Sequence, residues 1–204
     1  MLDKIANAEY PIHDLIARRW SPRAFSARRV EADKLLSLFE AARWAASSSN
    51  EQPWSFLVAS IDNSLEHEEL ASCLVPGNAW ARRAPVLVLS VASLDFAKNA
   101  SPNRHGYHDV GLAVENLVIQ ALSMDLFVHQ MAGFDVEKAR KIFEVPPRHD
   151  PVAMIAIGYL GDPESLTEDQ RLREKAPRQR KPMHQFLFAG KWGRTSPLIP
   201  ANQA

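Results

Sequence analysis

Three arginines and a hydroxyl fall within six residues, Arg18-Arg19-Trp20-Ser21-Pro22-Arg23. Guanidinium groups grip phosphate through paired N–H donors, each charge-assisted bond contributing about 1.5–3 kcal/mol. A second segment, Ala45 to Trp54, sets Ser47, Ser48, Ser49, Asn50 and Gln52 in one loop. Hydroxyls and amides donate and accept, a mixture that suits a planar heterocycle with alternating carbonyls and ring nitrogens. In a third, Gln130-Met131-Ala132-Gly133-Phe134-Asp135, a strand pattern ends on two small residues. Small residues let a flat ligand approach backbone N–H groups closely, and Asp135 is placed to cap the next helix. A fourth, Arg178-Gln179-Arg180-Lys181-Pro182, is basic again. Taken singly, each also fits a plainer role: a solvated charged turn, a polar connection, a tight turn, a solvated basic run.

Other chemistries are excluded by inspection. No GxGxxG fingerprint or GxSxG elbow occurs. Gly106 and Gly111 have the outer spacing of a phosphate loop, but Leu112-Ala113 stands where Lys and Ser/Thr are needed. His67-Glu68 opens a zinc-protease pattern that Ala71 does not complete. His105, His108 and Asp109 have metal-ligand side chains, yet no fourth ligand is indicated. They read as a solvated helix start where Asp109 favours the N-terminal dipole, with no metal. Cys73 reads as a small buried apolar side chain.

These segments need elements to hold them. Pro11 opens a short helix with Ile12, Leu15 and Ile16 on one face. Leu35, Leu36, Leu38, Phe39, Ala42 and Ala46 predict a helix over 31–46, which Ser47-Ser48-Ser49-Asn50 ends. Strands follow at 55–60 and from Pro85, with a helix over 63–75 between them. Val110, Ala113, Val114, Leu117, Val118, Ala121 and Leu122 predict a largely buried helix over 108–124. Then come a strand at 126–130, a helix at 135–144 and a strand at 152–159. Four apolar strands between helices predict an α/β or α+β sandwich. From Pro163 the composition turns basic and Pro-dotted, giving an extended C-terminal arm over 163–204 on a single domain spanning 1–204.

The 204 residues carry 24 Lys+Arg and 24 Asp+Glu, a formal net charge of zero. That removes a global electrostatic case for nucleic acid or a membrane surface. One cysteine and an N-terminus without a basic start and apolar run lead us to expect a cytoplasmic protein. The 108–124 helix has no evident partner inside so small a chain. Pairing it with its copy predicts an isologous homodimer, with the arm wrapping the neighbour.

Together the four segments resemble the FMN-dependent nitroreductase family, in that family's order from about residue 12 to 193. The resemblance implies an α+β, three-layer α-β-α sandwich around a mainly antiparallel sheet, dimeric, with the arm exchanged between subunits. It implies that Arg19 and Ser21 hold the FMN phosphate and ribityl chain, that Trp20 is also a cofactor-binding residue, and that Arg23 reaches the pyrimidine side. It implies that Ser47, Ser48, Ser49, Asn50 and Gln52 approach from the other subunit, and that Asn78 contacts the pyrimidine. Met131, Ala132 and Gly133 would lay backbone amides against flavin N5, and Arg178 and Arg180 would close on the phosphate. The implied activity is ping-pong: NADH or NADPH gives hydride to FMN, and a small organic acceptor such as a nitroaromatic or quinone takes it, with no catalytic side chain required. Relatives that run dehydrogenase, dehalogenase or flavin-fragmenting chemistry, and a flavin-binding dimer without turnover, are the alternatives. A nucleic-acid module using the basic run 171–181 finds no stacking aromatics there.

Overall fold

The computed structural model describes residues 4–200. The chain begins with α1 (Asp14–Arg18) and α2 (Ala32–Arg43). It continues through β1 (Trp54–Ser60), α3 (Ser64–Ser72) and β2 (Val86–Ser93). α4 (Gly106–Ser123), β3 (Phe127–Met131), α5 (Val136–Ile142) and β4 (His149–Gly158) follow. α6 (Glu168–Lys175) lies in the C-terminal segment.

The four strands form one sheet in the order β1-β2-β4-β3, and every neighbouring pair is antiparallel. Alternation divides the core in two. Leu87, Leu89 and Val91 face one way, toward Leu70 and Ala71 of α3 and Ala139 of α5. Val86, Val88 and Ala92 face the other way, toward Leu38 and Ala42 of α2 and Ala113 and Leu117 of α4. The result is the expected three-layer α-β-α sandwich. The register slips once: Ser90 pairs with Ala153 but Val91 pairs with Pro151, so Val152 is the extra residue of a bulge. Pro151 lies beyond the stretch of β4 that β3 covers, where its missing N–H leaves no ladder bond unmade.

Local chemistry accounts for three of the helix starts. Asn63 caps α3 by accepting the Glu66 N–H, and Asp135 caps α5 by accepting the Lys138 N–H at 2.9 Å. Thr167 and Gln170 form a reciprocal capping box at α6.

Two expectations change. The apolar side of α4 already has partners inside the chain, since Val110, Val114, Leu117 and Val118 pack in the α2 layer against the sheet. Its outward strip is Gly111, Leu112, Glu115 and Asn116. A missing intrachain partner is therefore no ground for pairing this helix with its copy. The segment from Pro163 is also not simply extended. It contains α6 and two short 3₁₀ turns, Pro163–Ser165 and Met183–Gln185. The last four residues of the predicted arm and the first three of the predicted domain lie outside the described residues.

Candidate functional site

Residues from opposite ends of the chain meet beside α1. The helix breaks at Arg19, whose Nη1 donates to Ser21 Oγ at 3.2 Å. Arg178 Nη1 donates to the carbonyls of Lys4 (2.7 Å) and Ala17 (2.6 Å), and Lys4 Nζ donates to the Ala176 carbonyl. These bonds lace the C-terminal segment onto the N-terminal one. They close a cavity of about 280 Å³ lined by Lys4, Arg19, Ser21, Arg23, Arg173, Arg178 and Arg180. Among the described residues the single carboxylate on its wall is Glu174.

This much positive charge in a small space perturbs its members. Burial lowers the Arg19 guanidinium pKa, Glu115 on α4 opposes that, and Arg180 adds to it. Burial likewise lowers Arg178, with Arg19 and Arg180 adding repulsion. A cluster of cations that repel one another and lose water is stabilised by an anion entering it. Glu115 shows the converse: withdrawal from water raises its carboxyl pKa, while the Arg19 charge holds it down. A wider groove of about 1040 Å³ shares Arg19, Arg178 and Arg180 and runs on over Tyr10, Ile12, Ile16, Glu115, Met183 and Phe186.

The turn after Ser21 is held from both sides. His129 on β3 donates from Nδ1 to the Pro22 carbonyl at 2.8 Å. The buried Glu174 of α6 accepts the Arg23 N–H on both oxygens, each at 2.9 Å, and the Ala24 N–H at 3.1 Å. The Arg23 side chain lies 3.9 Å from Glu174 and 6.0 Å from the centre of the Trp80 ring. Trp80 stacks with Phe25 and packs on the His129 ring. Packing around His129 pushes its pKa down to about 4, helped by the nearby Arg23 and Arg19 and opposed by the Pro22 bond. His129 is thus a neutral imidazole at pH 7. Trp20 is buried edge-on against Phe127, with Lys4 over its ring, so it walls the cavity.

Met131, Ala132 and Gly133 end β3 as expected, with Met131 buried in the core and Ala132 exposed. Asn78 joins them: its Nδ2 donates to the Gly133 carbonyl at 2.9 Å. The β3 end, Asn78, Trp80 and Arg23 form one contiguous set.

The serine loop is anchored elsewhere, at the first turn of α4. Ser48 N–H donates to Asp109 Oδ2 at 2.9 Å, and Gln52 N–H donates to Ser47 Oγ at 3.0 Å. Ser49, Asn50 and Gln52 all adopt left-handed backbone, with φ of 56°, 55° and 53°. Three such non-glycine residues cost of order 1 kcal/mol or more each and persist only under restraint. Asp109 was expected to be solvated. It is instead 2% exposed, with its other oxygen on His108 Nδ1 at 2.9 Å. Cys73 is buried as expected, and burial raises its thiol pKa.

Comparison with known proteins fits this arrangement. The nitroreductase-family profile matches residues 16–159. The chain belongs to the nitroreductase family. An uncharacterized 15.4 kDa protein of Mycolicibacterium smegmatis is 39% identical over 124 residues, covering 61% of this chain and 82% of that protein. A protein of Methanothermobacter thermautotrophicus, provisionally named NADH dehydrogenase/NAD(P)H nitroreductase, is 25% identical over 150 residues, 72% of this chain and 75% of its own. The crystal structure of an oxidoreductase containing FMN aligns with a TM-score of 0.86 at 32% identity, covering 91% of this chain and 95% of that one.

Two residues that build this site, Glu174 and His129, were not singled out from sequence, and Asp109 was singled out only as part of a solvated helix start. A lone histidine in an apolar strand and a lone acid among the basic residues of 171–181 were the available signals. Among the described residues no helix is long and apolar enough to cross a membrane.

Proposed function

We propose that this chain is an FMN-dependent oxidoreductase that draws electrons from NADH or NADPH and delivers them to a small organic acceptor, such as a nitroaromatic or quinone. The observation that carries the proposal is the convergence of Arg19, Ser21, Arg178 and Arg180 on one cavity beside Arg23 and the β3 end. The donor set suits FMN: a crowded group of cations for a dianionic phosphate, then amide and backbone groups for a flat polar ring. FMN when bound supplies reversible hydride and electron chemistry. The protein's part is to bind and orient.

In this reading Arg19, Arg178 and Arg180 neutralise the phosphate, Ser21 accepts from Arg19 and so fixes its fork, and Arg23 places positive charge at the pyrimidine side. Charge there favours an electron-rich ring. Asn78, Met131, Ala132 and Gly133 border the ring edge. Ser47 to Gln52 contribute from a second copy, making the working unit a homodimer in which the outward strip of α4 and the exposed Ile12, Ile16 and Phe186 find cover. Donor and acceptor take turns at one opening, which is the ping-pong order.

The test is an absorption spectrum of the purified protein followed by anaerobic NADH or NADPH. A yellow protein that bleaches and is re-oxidised by a nitroaromatic or quinone supports the reading. A colourless protein that takes up no added FMN refutes it. A bound flavin that neither nucleotide reduces shifts the assignment to a relative with other chemistry. Light scattering reads the assembly, and a monodisperse monomer would contradict the dimer.

A further inference from the structure

We infer that Glu174 is a positioning residue: its carboxylate, working against His129, presets the Ser21–Ala24 turn so that Arg19, Ser21 and Arg23 face the cavity before any cofactor arrives. The inference rests on the FMN reading above. Two consecutive peptide units, Pro22–Arg23 and Arg23–Ala24, are held by these two side chains. The Pro22 carbonyl accepts a hydrogen bond from His129 Nδ1–H, and the Arg23 and Ala24 N–H groups donate to Glu174. On the far side, Ser26 N–H donates to the Tyr159 carbonyl and Gly161 N–H to the Ala24 carbonyl, both at 2.9 Å. A loop whose backbone groups are so held pays little ordering cost when a ligand binds. Glu174 is 1% exposed although it lies on a helix of strongly polar composition. A buried carboxylate is retained where backbone donors satisfy it.

Two roles for this acid predict opposite signs. If Glu174 were only one negative charge among cations, neutralising it would tighten the grip on a dianion. If it positions the turn, neutralising it loosens that grip despite the added positive charge. Glu174→Gln decides between them, because the amide oxygen replaces at most one of the two acceptor oxygens.

The test uses apo-protein titrated with FMN and with riboflavin, followed by flavin fluorescence. We expect Glu174→Gln to weaken FMN binding roughly 10- to 100-fold, the size of one charge-assisted bond. The preference for FMN over riboflavin should shrink with it, because the phosphate-gripping residues are the ones displaced. Amide exchange on the same apo-protein should show the Arg23 and Ala24 N–H groups losing protection while those of β2 keep theirs. His129→Phe, which removes the donor and keeps a ring against Trp80, should act in the same direction and serves if Glu174→Gln does not fold. Unchanged or tighter FMN binding with intact protection overturns the inference. Wild-type protein that binds no FMN refutes the functional reading instead, and the exchange measurement then decides on the clasp alone.

Discussion

Asp109→Ala should loosen the serine loop and cost measurable stability. The buried carboxylate accepts the Ser48 N–H at 2.9 Å and pins a loop with three left-handed residues. A hydrogen bond to a charged group contributes about 1.5–3 kcal/mol, and its loss also leaves a backbone donor unmatched. The His108 contact adds little, because that side chain is 65% exposed. A total of about 2–3 kcal/mol follows. At roughly 2–4 °C per kcal/mol for a chain of this size, the melting midpoint should fall by about 4–12 °C. Asp109→Asn keeps an oxygen for Ser48 and should lose less than half as much. Thermal melts of both variants, with amide exchange at Ser48, make the comparison. If Asp109→Ala melts within about a degree of wild type, or Ser48 stays protected, Asp109 does not restrain this loop.

Other expectations are more compact. Arg19→Ala should weaken FMN binding by about one to two orders of magnitude, whereas Arg23→Ala should mainly lower the potential of bound flavin; equal FMN affinity in wild type and Arg19→Ala would sink the first half. The native pKa of His129 lies near 4 against 6.5 for a free side chain, so the unfolded chain binds a proton in this window that the native one refuses. Stability should therefore be complete above about pH 6.5 and decline toward pH 4, by up to about 3 kcal/mol from this group. Urea melts at pH 7, 5.5 and 4.5 should show that slope, and His129→Phe should flatten it. A Cβ on Gly161 would sit 2.5 Å from the Phe25 carbonyl, a backbone neighbour that cannot swing aside. Gly161→Ala should cost about 1–3 kcal/mol in a chemical melt, and a neutral outcome would mean that the Phe25 backbone, which pairs with Leu160 in an isolated antiparallel bridge, yields more easily than this close approach implies.

What could be read from sequence divides along physical lines. Period-3.6 and period-2 patterns depend on neighbours in the chain, and they located α4, the four strands and the Asp135 cap within a few residues. The arginines that line the cavity announced themselves by clustering. Glu174 did not, because its partners are the N–H groups of Arg23 and Ala24, about 150 positions away. Its immediate neighbours are charged and suggest a solvated run. Asp109 misled for a related reason. An acid in a helix's first turn is ordinarily explained by the dipole, and nothing local says that a loop 61 positions earlier folds over it. The outward strip of α4 was misjudged because an apolar count over the whole helix hides which face the sheet and α2 have already covered.

The clasp across the cradle has a consequence for how the molecule is made. A chain leaving the ribosome exposes the Arg19–Arg23 turn early, but Glu174 and Arg178 emerge only after the whole sheet has been translated. Contacts of such long sequence separation form late, since their loop-closure entropy is recovered only once the intervening elements have condensed. The sandwich layers can assemble first, and the arginine-lined cavity is completed last. A nascent or truncated chain lacking α6 would then carry four antiparallel strands and an unrestrained arginine turn, folded in its core yet unable to hold a cofactor. With FMN held there as proposed, cofactor capture would report that synthesis has run through α6.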